Sequence, residues 1–194
     1  GLNHISEWLD AQTPEKMKVA PTAVITGGDV TLEAGDNLTC APGSRIDVQT
    51  FDAISDGPLG LGGNIRGSKY INLRTHGDDL VLDPFASFSG DNIFLESEGT
   101  LRIPEQVRIQ GKNLSLSGYE IFDIPSLMSQ TGRYGNFNIQ DTLQVKTDEP
   151  VSFLASATSK SNNFILKVPG ISLNNGVHLH APGILSLDAT SAGN

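Results

Sequence analysis

Between Gly28 and Val48 the chain reads GDVTLEAGDNLTCAPGSRIDV, with apolar residues at every second position in three short runs. Val30-Thr31-Leu32, Leu38-Thr39-Cys40 and Ile46-Asp47-Val48 each hold a polar residue between two apolar ones. That is the pattern of a strand with one buried and one wet face. Ala34-Gly35-Asp36-Asn37 and Ala41-Pro42-Gly43-Ser44 separate the runs and read as turns. A three-residue strand buries too little apolar surface to stand alone, so the unit is stable only where copies stack and each covers the next. Copies follow at Tyr70–Leu73, Leu80–Leu82, Ile93–Leu95, Leu101–Ile103, Val107–Ile109 and Leu114–Leu116, and again from Phe137 to Leu187. Three strands per coil and roughly 20–25 residues per turn predict an all-β parallel solenoid of seven or eight coils, about 4.8 Å apart.

Several stretches depart from this rhythm. Leu2, Ile5, Trp8 and Leu9 fall at helical spacing ahead of Thr13-Pro14, which predicts a short N-terminal α-helix capping the open end of the stack. The predicted boundaries are a cap or linker over 1–20 and a solenoid over 21–194, its last residues 190–194 a frayed tail. Residues 55–68, SDGPLGLGGNIRGS, hold five glycines and read as a projecting mobile loop. Residues 119–135, YEIFDIPSLMSQTGRYG, break the alternation and predict a helical turn. A Gly-polar-polar-apolar sequence recurs at Gly35, Gly77, Gly90 and Gly111 and reads each time as a corner.

Composition narrows the setting. Charged residues make up 18% of the chain and aromatics 6%, so the core is built of Leu, Ile and Val and the balance is that of exported β-rich proteins. A formal net charge of −9 argues against a nucleic acid or an anionic membrane as partner. Cys40 is the single cysteine; it cannot form an intrachain disulfide, and its place in the alternation makes it a core residue. No apolar run approaches the ~18 residues of a spanning helix, so this stretch is not expected to insert into a membrane.

The units GGDVTLEAGDNLTCAPGSRIDV and NNGVHLHAPGILSLDA resemble the repeats of filamentous-haemagglutinin-like bacterial surface proteins and autotransporter passengers. The resemblance spans most of residues 22–188. It implies a right-handed parallel β-helix and a place in a secreted or cell-surface bacterial protein.

Candidate chemistry is sparse. Thr75-His76-Gly77-Asp78-Asp79 is the nearest approach to the clustered aspartates of polysaccharide-cleaving β-helices, but its acids fall at a recurrent turn. Asp36, Asp78 and Asp91 would need to stack to collect the six or more oxygens calcium takes. His178 and His180 share one strand face and lack a nameable third ligand. The reading is therefore no catalytic residue, no metal and no cofactor. The expected function is a non-catalytic stalk or adhesin that binds a host or cell-surface glycan or protein, with no nucleic-acid partner. A polysaccharide lyase or glycoside hydrolase and a tailspike-like trimer are the alternatives. Because loops vary without disturbing a stack, contact is expected where the rhythm breaks: Tyr119, Arg133 and Tyr134 in the 119–135 insertion carry the residue types enriched at binding hot spots. The competing reading is that the insertion's aromatics, Phe122 among them, fold it onto the wall.

Overall fold

A computed structural model describes residues 2–121 and 123–189. The strands in chain order are β1 (Leu2–Thr13), β2 (Met17–Val19), β3 (Val24–Ala34), β4 (Leu38–Cys40), β5 (Arg45–Ser55), β6 (Leu59–Leu61), β7 (Asn64–Thr75), β8 (Leu80–Leu82) and β9 (Ser87–Ser97). They continue as β10 (Leu101–Arg102), β11 (Arg108–Gly118), β12 (Phe137–Thr147), β13 (Val151–Phe153), β14 (Ala157–Thr158), β15 (Asn163–Val168), β16 (Ile171–Leu173), β17 (Leu179–His180) and β18 (Leu185–Ala189). A short helix, α1 (Ile124–Ser129), and a 3-10 turn, Gly132–Tyr134, interrupt them.

The long strands β1, β3, β5, β7, β9, β11, β12, β15 and β18 lie side by side in one parallel sheet, one strand per turn of a solenoid of about nine turns. The short strands β2, β4, β6, β8 and β10 form a second parallel sheet, and β13 with β16 and β14 with β17 pair in the later coils. The coil period is set by register: Val24 pairs with Arg45, Arg45 with Asn64 and Ser87 with Arg108.

From β1 to β12 each strand of this sheet is two legs joined at a bend, while β15 and β18 keep a single leg. In β5 the buried apolar positions are Ile46 and Val48, then Phe51 and Ala53, with Thr50 and Ser55 the buried polar ones, so the apolar alternation slips by one residue between 48 and 51. Counting the short strand, each coil presents three inward runs, as the opening unit predicts. Inward residues stack on their counterparts one coil away. Phe51, Ile71, Ile93, Leu114, Leu143 and Phe164 form one such column, every member at most 1% exposed. Burying each of these side chains contributes about 1.5–3 kcal/mol.

Three expectations need correction. Residues 2–13 are not a helix but β1, paired in parallel with β3, so the first coil is part of the solenoid and no separate unit spans 1–20. The helical spacing was produced by a bulge: Ile5 is in register with Gly27 and Leu9 with Val30, so the apolar interval stretches to four where the partner has three. Trp8 then lies outward at 69% exposure, while Leu9 and Ala11 pack against the core.

Residues 55–68 are not a projecting loop but an ordinary coil containing β6 and the start of β7. Their glycines meet neighbouring backbone: Gly57 donates its N–H to the Asp36 carbonyl at 2.6 Å, and a Cβ on Gly57 would overlap that same oxygen. The Gly-polar-polar-apolar sequence is a corner only at Gly35 and Gly77. At Gly90 and Gly111 it is the bend inside β9 and β11.

The 119–135 insertion does contain the expected helical turn. It occupies the stretch between β11 and β12, with Ile124, Leu127 and Met128 buried. Phe122 and the tail 190–194 lie outside the described residues.

Candidate functional site

The bends of three successive long strands create a concavity on the side of the stack. Gly67, Gly90 and Gly111 are in register at these bends. A Cβ on Gly90 would lie 2.5 Å from the Gly67 carbonyl oxygen, and one on Gly111 would lie 2.6 Å from that of Gly90. The close approach of one coil to the next therefore demands glycine here, and it leaves bare backbone as the floor of a trough. In the flanking coils the same register position holds Val48 and Ile139.

Two rows of side chains wall the trough, because the residues on either side of each glycine point outward. One wall carries Arg66, Ser89 and Gln110, in register across β7, β9 and β11. The other carries Ser68, Asp91 and Lys112, and Gln140 closes the end at β12. The trough's volume is about 480 Å³. A smaller extension of about 240 Å³ continues past Arg66 toward Arg45 and Asp47 on β5. Among the described residues no aromatic side chain lines either part, so recognition there depends on hydrogen bonds and charge.

The charges in the trough are unevenly satisfied. Lys112 Nζ sits 2.8 Å from Asp91 Oδ2, and Arg45 Nη2 sits 3.5 Å from Asp47 Oδ2. Arg66 faces both parts of the cavity and, among the described residues, has no ion pair. Three cations (Arg45, Arg66, Lys112) against two anions (Asp47, Asp91) give the lining a formal charge of +1, in a chain whose total is −9.

The residues singled out in the insertion do not form one surface. Tyr134 is buried at 1% and packs edge-on against Phe137, with ring centroids 5.2 Å apart. Burial pushes its phenol up to about 12. It is a core residue, which corrects its reading as a contact residue; its ring anchors the insertion to the wall. Arg133 is half-buried beside it, and its positive charge, helped by a hydrogen bond, acts to lower the same phenol. Tyr119 is half exposed at the opposite end of the segment, where a hydrogen bond to Glu149 raises its phenol. The insertion is further pinned by buried Gln130, which donates to Ser161 Oγ at 2.8 Å and accepts from the Ile139 N–H at 3.1 Å.

The remaining candidates are corner and face residues. Asp79 accepts the Thr100 N–H at 2.8 Å and pairs with Arg102 at 3.0 Å, while His76 Nδ1 lies 3.3 Å from Asp56. Asp36 and Asp78 share a corner two coils apart, but Asp91 sits in the trough wall, so the three do not stack. His178 and His180 both point outward. Among the described residues no three His, Cys, Asp or Glu come together as a metal site. Cys40 is buried at 1%, and desolvation pushes its thiol up to about 12.

Sequence reasoning missed the trough because its glycines read as turns and its walls as scattered polar residues. The signal was the strict one-coil recurrence of Arg66-Gly67-Ser68, Ser89-Gly90-Asp91 and Gln110-Gly111-Lys112. Comparison with known proteins gives no match, whether to a family model, a curated protein or a solved structure.

Proposed function

We propose that this chain is a non-catalytic module of a secreted or cell-surface bacterial protein, a rigid stalk or adhesin whose side face holds a cell-surface glycan. The observation that carries this reading is the trough. It is open, polar and, among the described residues, free of aromatic side chains, and it runs across coils β7, β9, β11 and β12. A glycan chain offers hydroxyls at regular intervals, and Ser, Gln and Arg side chains repeating at the coil spacing match them as donors and acceptors. The low charged fraction and lone buried cysteine suit an exported protein that folds without disulfides, and the haemagglutinin-like repeat style supports the same setting.

The test is a panel of immobilised polysaccharides probed with the purified chain. The same polysaccharides are assayed in solution for new reducing ends and unsaturated products. Binding without product release is expected. Failure to bind any member of the panel would overturn the glycan reading, and turnover would replace it with an enzymatic one.

A further inference from the structure

We propose that the trough selects a linear polysaccharide carrying carboxylates on alternate sugars, a uronate-bearing glycan, with Arg66 and Lys112 as its anion contacts. This rests on the glycan-binding reading and goes beyond it by naming the ligand class.

The coils are about 4.8 Å apart, close to the advance of one pyranose ring along an extended polysaccharide. A chain lying along the trough therefore meets one coil per sugar. Arg66 is on β7 and Lys112 on β11, two coils apart and on opposite walls. Carboxylates on every second sugar then meet Arg66, which has no ion pair among the described residues, and Lys112, which keeps Asp91 at 2.8 Å and offers its remaining N–H groups. The intervening sugar lies at β9 between Ser89 and Asp91, where a hydroxyl and a carboxylate accept bonds from sugar hydroxyls and disfavour a further carboxylate, while Gln110 flanks the β11 sugar across from Lys112.

Charge supports the same class. Arg66 has no ion pair among the described residues, and a guanidinium binds carboxylate through two parallel N–H···O bonds. The chain as a whole is acidic, but exposed charges beyond about 8 Å are screened at physiological salt, so a ligand in the trough responds mainly to a lining of +1. Nucleic acid, with one charge per about 1.7 Å of duplex, would bring many phosphates against a surface with few cations. A glycan with a uronate on every second sugar brings about one charge per two coils.

The experiment measures binding by calorimetry to four probes: hyaluronan oligosaccharides, their carboxyl-reduced form, dextran sulfate and poly-L-glutamate. Parent protein is compared with Arg66→Gln and with Lys167→Gln. Lys167 is outward on β15, away from the trough, and its replacement changes net charge equally. The expected result is binding to the uronate oligosaccharide that weakens about ten-fold or more on carboxyl reduction and by a similar factor in Arg66→Gln, as loss of a charge-assisted hydrogen bond predicts. Lys167→Gln should bind like the parent. Equal losses in both variants would overturn the assignment to the trough. Equal binding of the carboxyl-reduced form would overturn the carboxylate while leaving the glycan reading intact. Tighter, Arg66-dependent binding of dextran sulfate or poly-L-glutamate would replace the uronate with a sulfated glycan or an acidic peptide. Binding to none of the four, with neutral glycans bound on the panel, would overturn this inference alone.

Discussion

Replacing Gly90 by Ala probes the contact that shapes both the stack and the trough. The added Cβ would sit 2.5 Å from the carbonyl oxygen of Gly67 and 3.7 Å from Ile71 Cδ1. The second contact is comfortable; the first is not. That oxygen belongs to the β7 backbone in the ladder between β7 and β9, so it cannot swing aside as a side chain would. Relief requires the two coils to part locally by most of an ångström, which weakens ladder bonds contributing about 1 kcal/mol each. Forcing extra atoms into a well-packed interior costs about 1–3 kcal/mol, and the local loss here belongs in that range.

Gly60→Ala is the matched control. Its Cβ would meet only the Thr39 side chain, at 3.9 Å, and Ala there gains about 0.4–1 kcal/mol by restricting the unfolded chain. For a chain of this length each kcal/mol moves the melting temperature by about 2–4 °C. Thermal melting followed by circular dichroism should therefore rank Gly60→Ala at or above the parent and Gly90→Ala several degrees below it. Hydrogen exchange in Gly90→Ala should quicken around residues 67–71 and 90–93. Indistinguishable melting of the two variants would refute the argument that inter-coil approach dictates glycine at the bend.

Ser97→Ala removes a buried hydroxyl that donates to the Asp78 carbonyl at 2.7 Å, and should cost about 0.5–1.5 kcal/mol in urea titrations, because that carbonyl keeps the Thr75 hydroxyl and the Gly99 N–H as donors. Cys40 should resist iodoacetamide in the folded protein and react once denatured, since its thiol is buried and held up to about 12. Its folded pKa exceeds the ordinary 9.0, so the stability it contributes is complete below pH 9 and is lost as pH rises toward 12. Parent stability should fall more steeply with pH in that window than Cys40→Ala stability, by up to about 1.4 kcal/mol per pH unit. Parallel pH profiles would contradict this.

How much was legible in the sequence depended on whether the signal was local. The triplet Val30-Thr31-Leu32, Leu38-Thr39-Cys40, Ile46-Asp47-Val48 announced its own three inward runs, and all six flanking residues are buried. The N-terminal strand was misread because its bulge imitates a helical period, and only the register with β3 resolves it. The glycines at 57 and 63 looked like flexibility when viewed along the chain, but viewed across coils they mark close backbone approach. The same distinction hid the buried hydroxyl column. Ser55, Thr75, Ser97 and Thr147 sit where strands turn into corners, and polar residues there resemble loop starts. In the stack each is buried, and each donates to a corner carbonyl: Asp36 from Ser55, Asp78 from Thr75 and Ser97, Tyr119 from Thr147. Tyr134 shows the limit for sites, because a Tyr beside an Arg looks the same in sequence whether it faces solvent or anchors a helix.

The trough separates stability from recognition, for a reason built into strand geometry. Its floor is fixed by packing: Gly67, Gly90 and Gly111 each face backbone oxygen close by, so variation there is penalised whatever the ligand. Its walls are outward positions, where alternation directs side chains to solvent. Arg66, Gln110 and Lys112 are exposed, and Arg66 and Gln110 make no side-chain hydrogen bond within the described stack. Substitutions along these walls should change what binds while leaving the melting temperature nearly unmoved, since exposed changes usually stay within about ±0.5 kcal/mol. The solenoid can thus hold one groove shape and alter its chemistry coil by coil. In such a fold, ligand specificity is written in residues that contribute almost nothing to the fold itself.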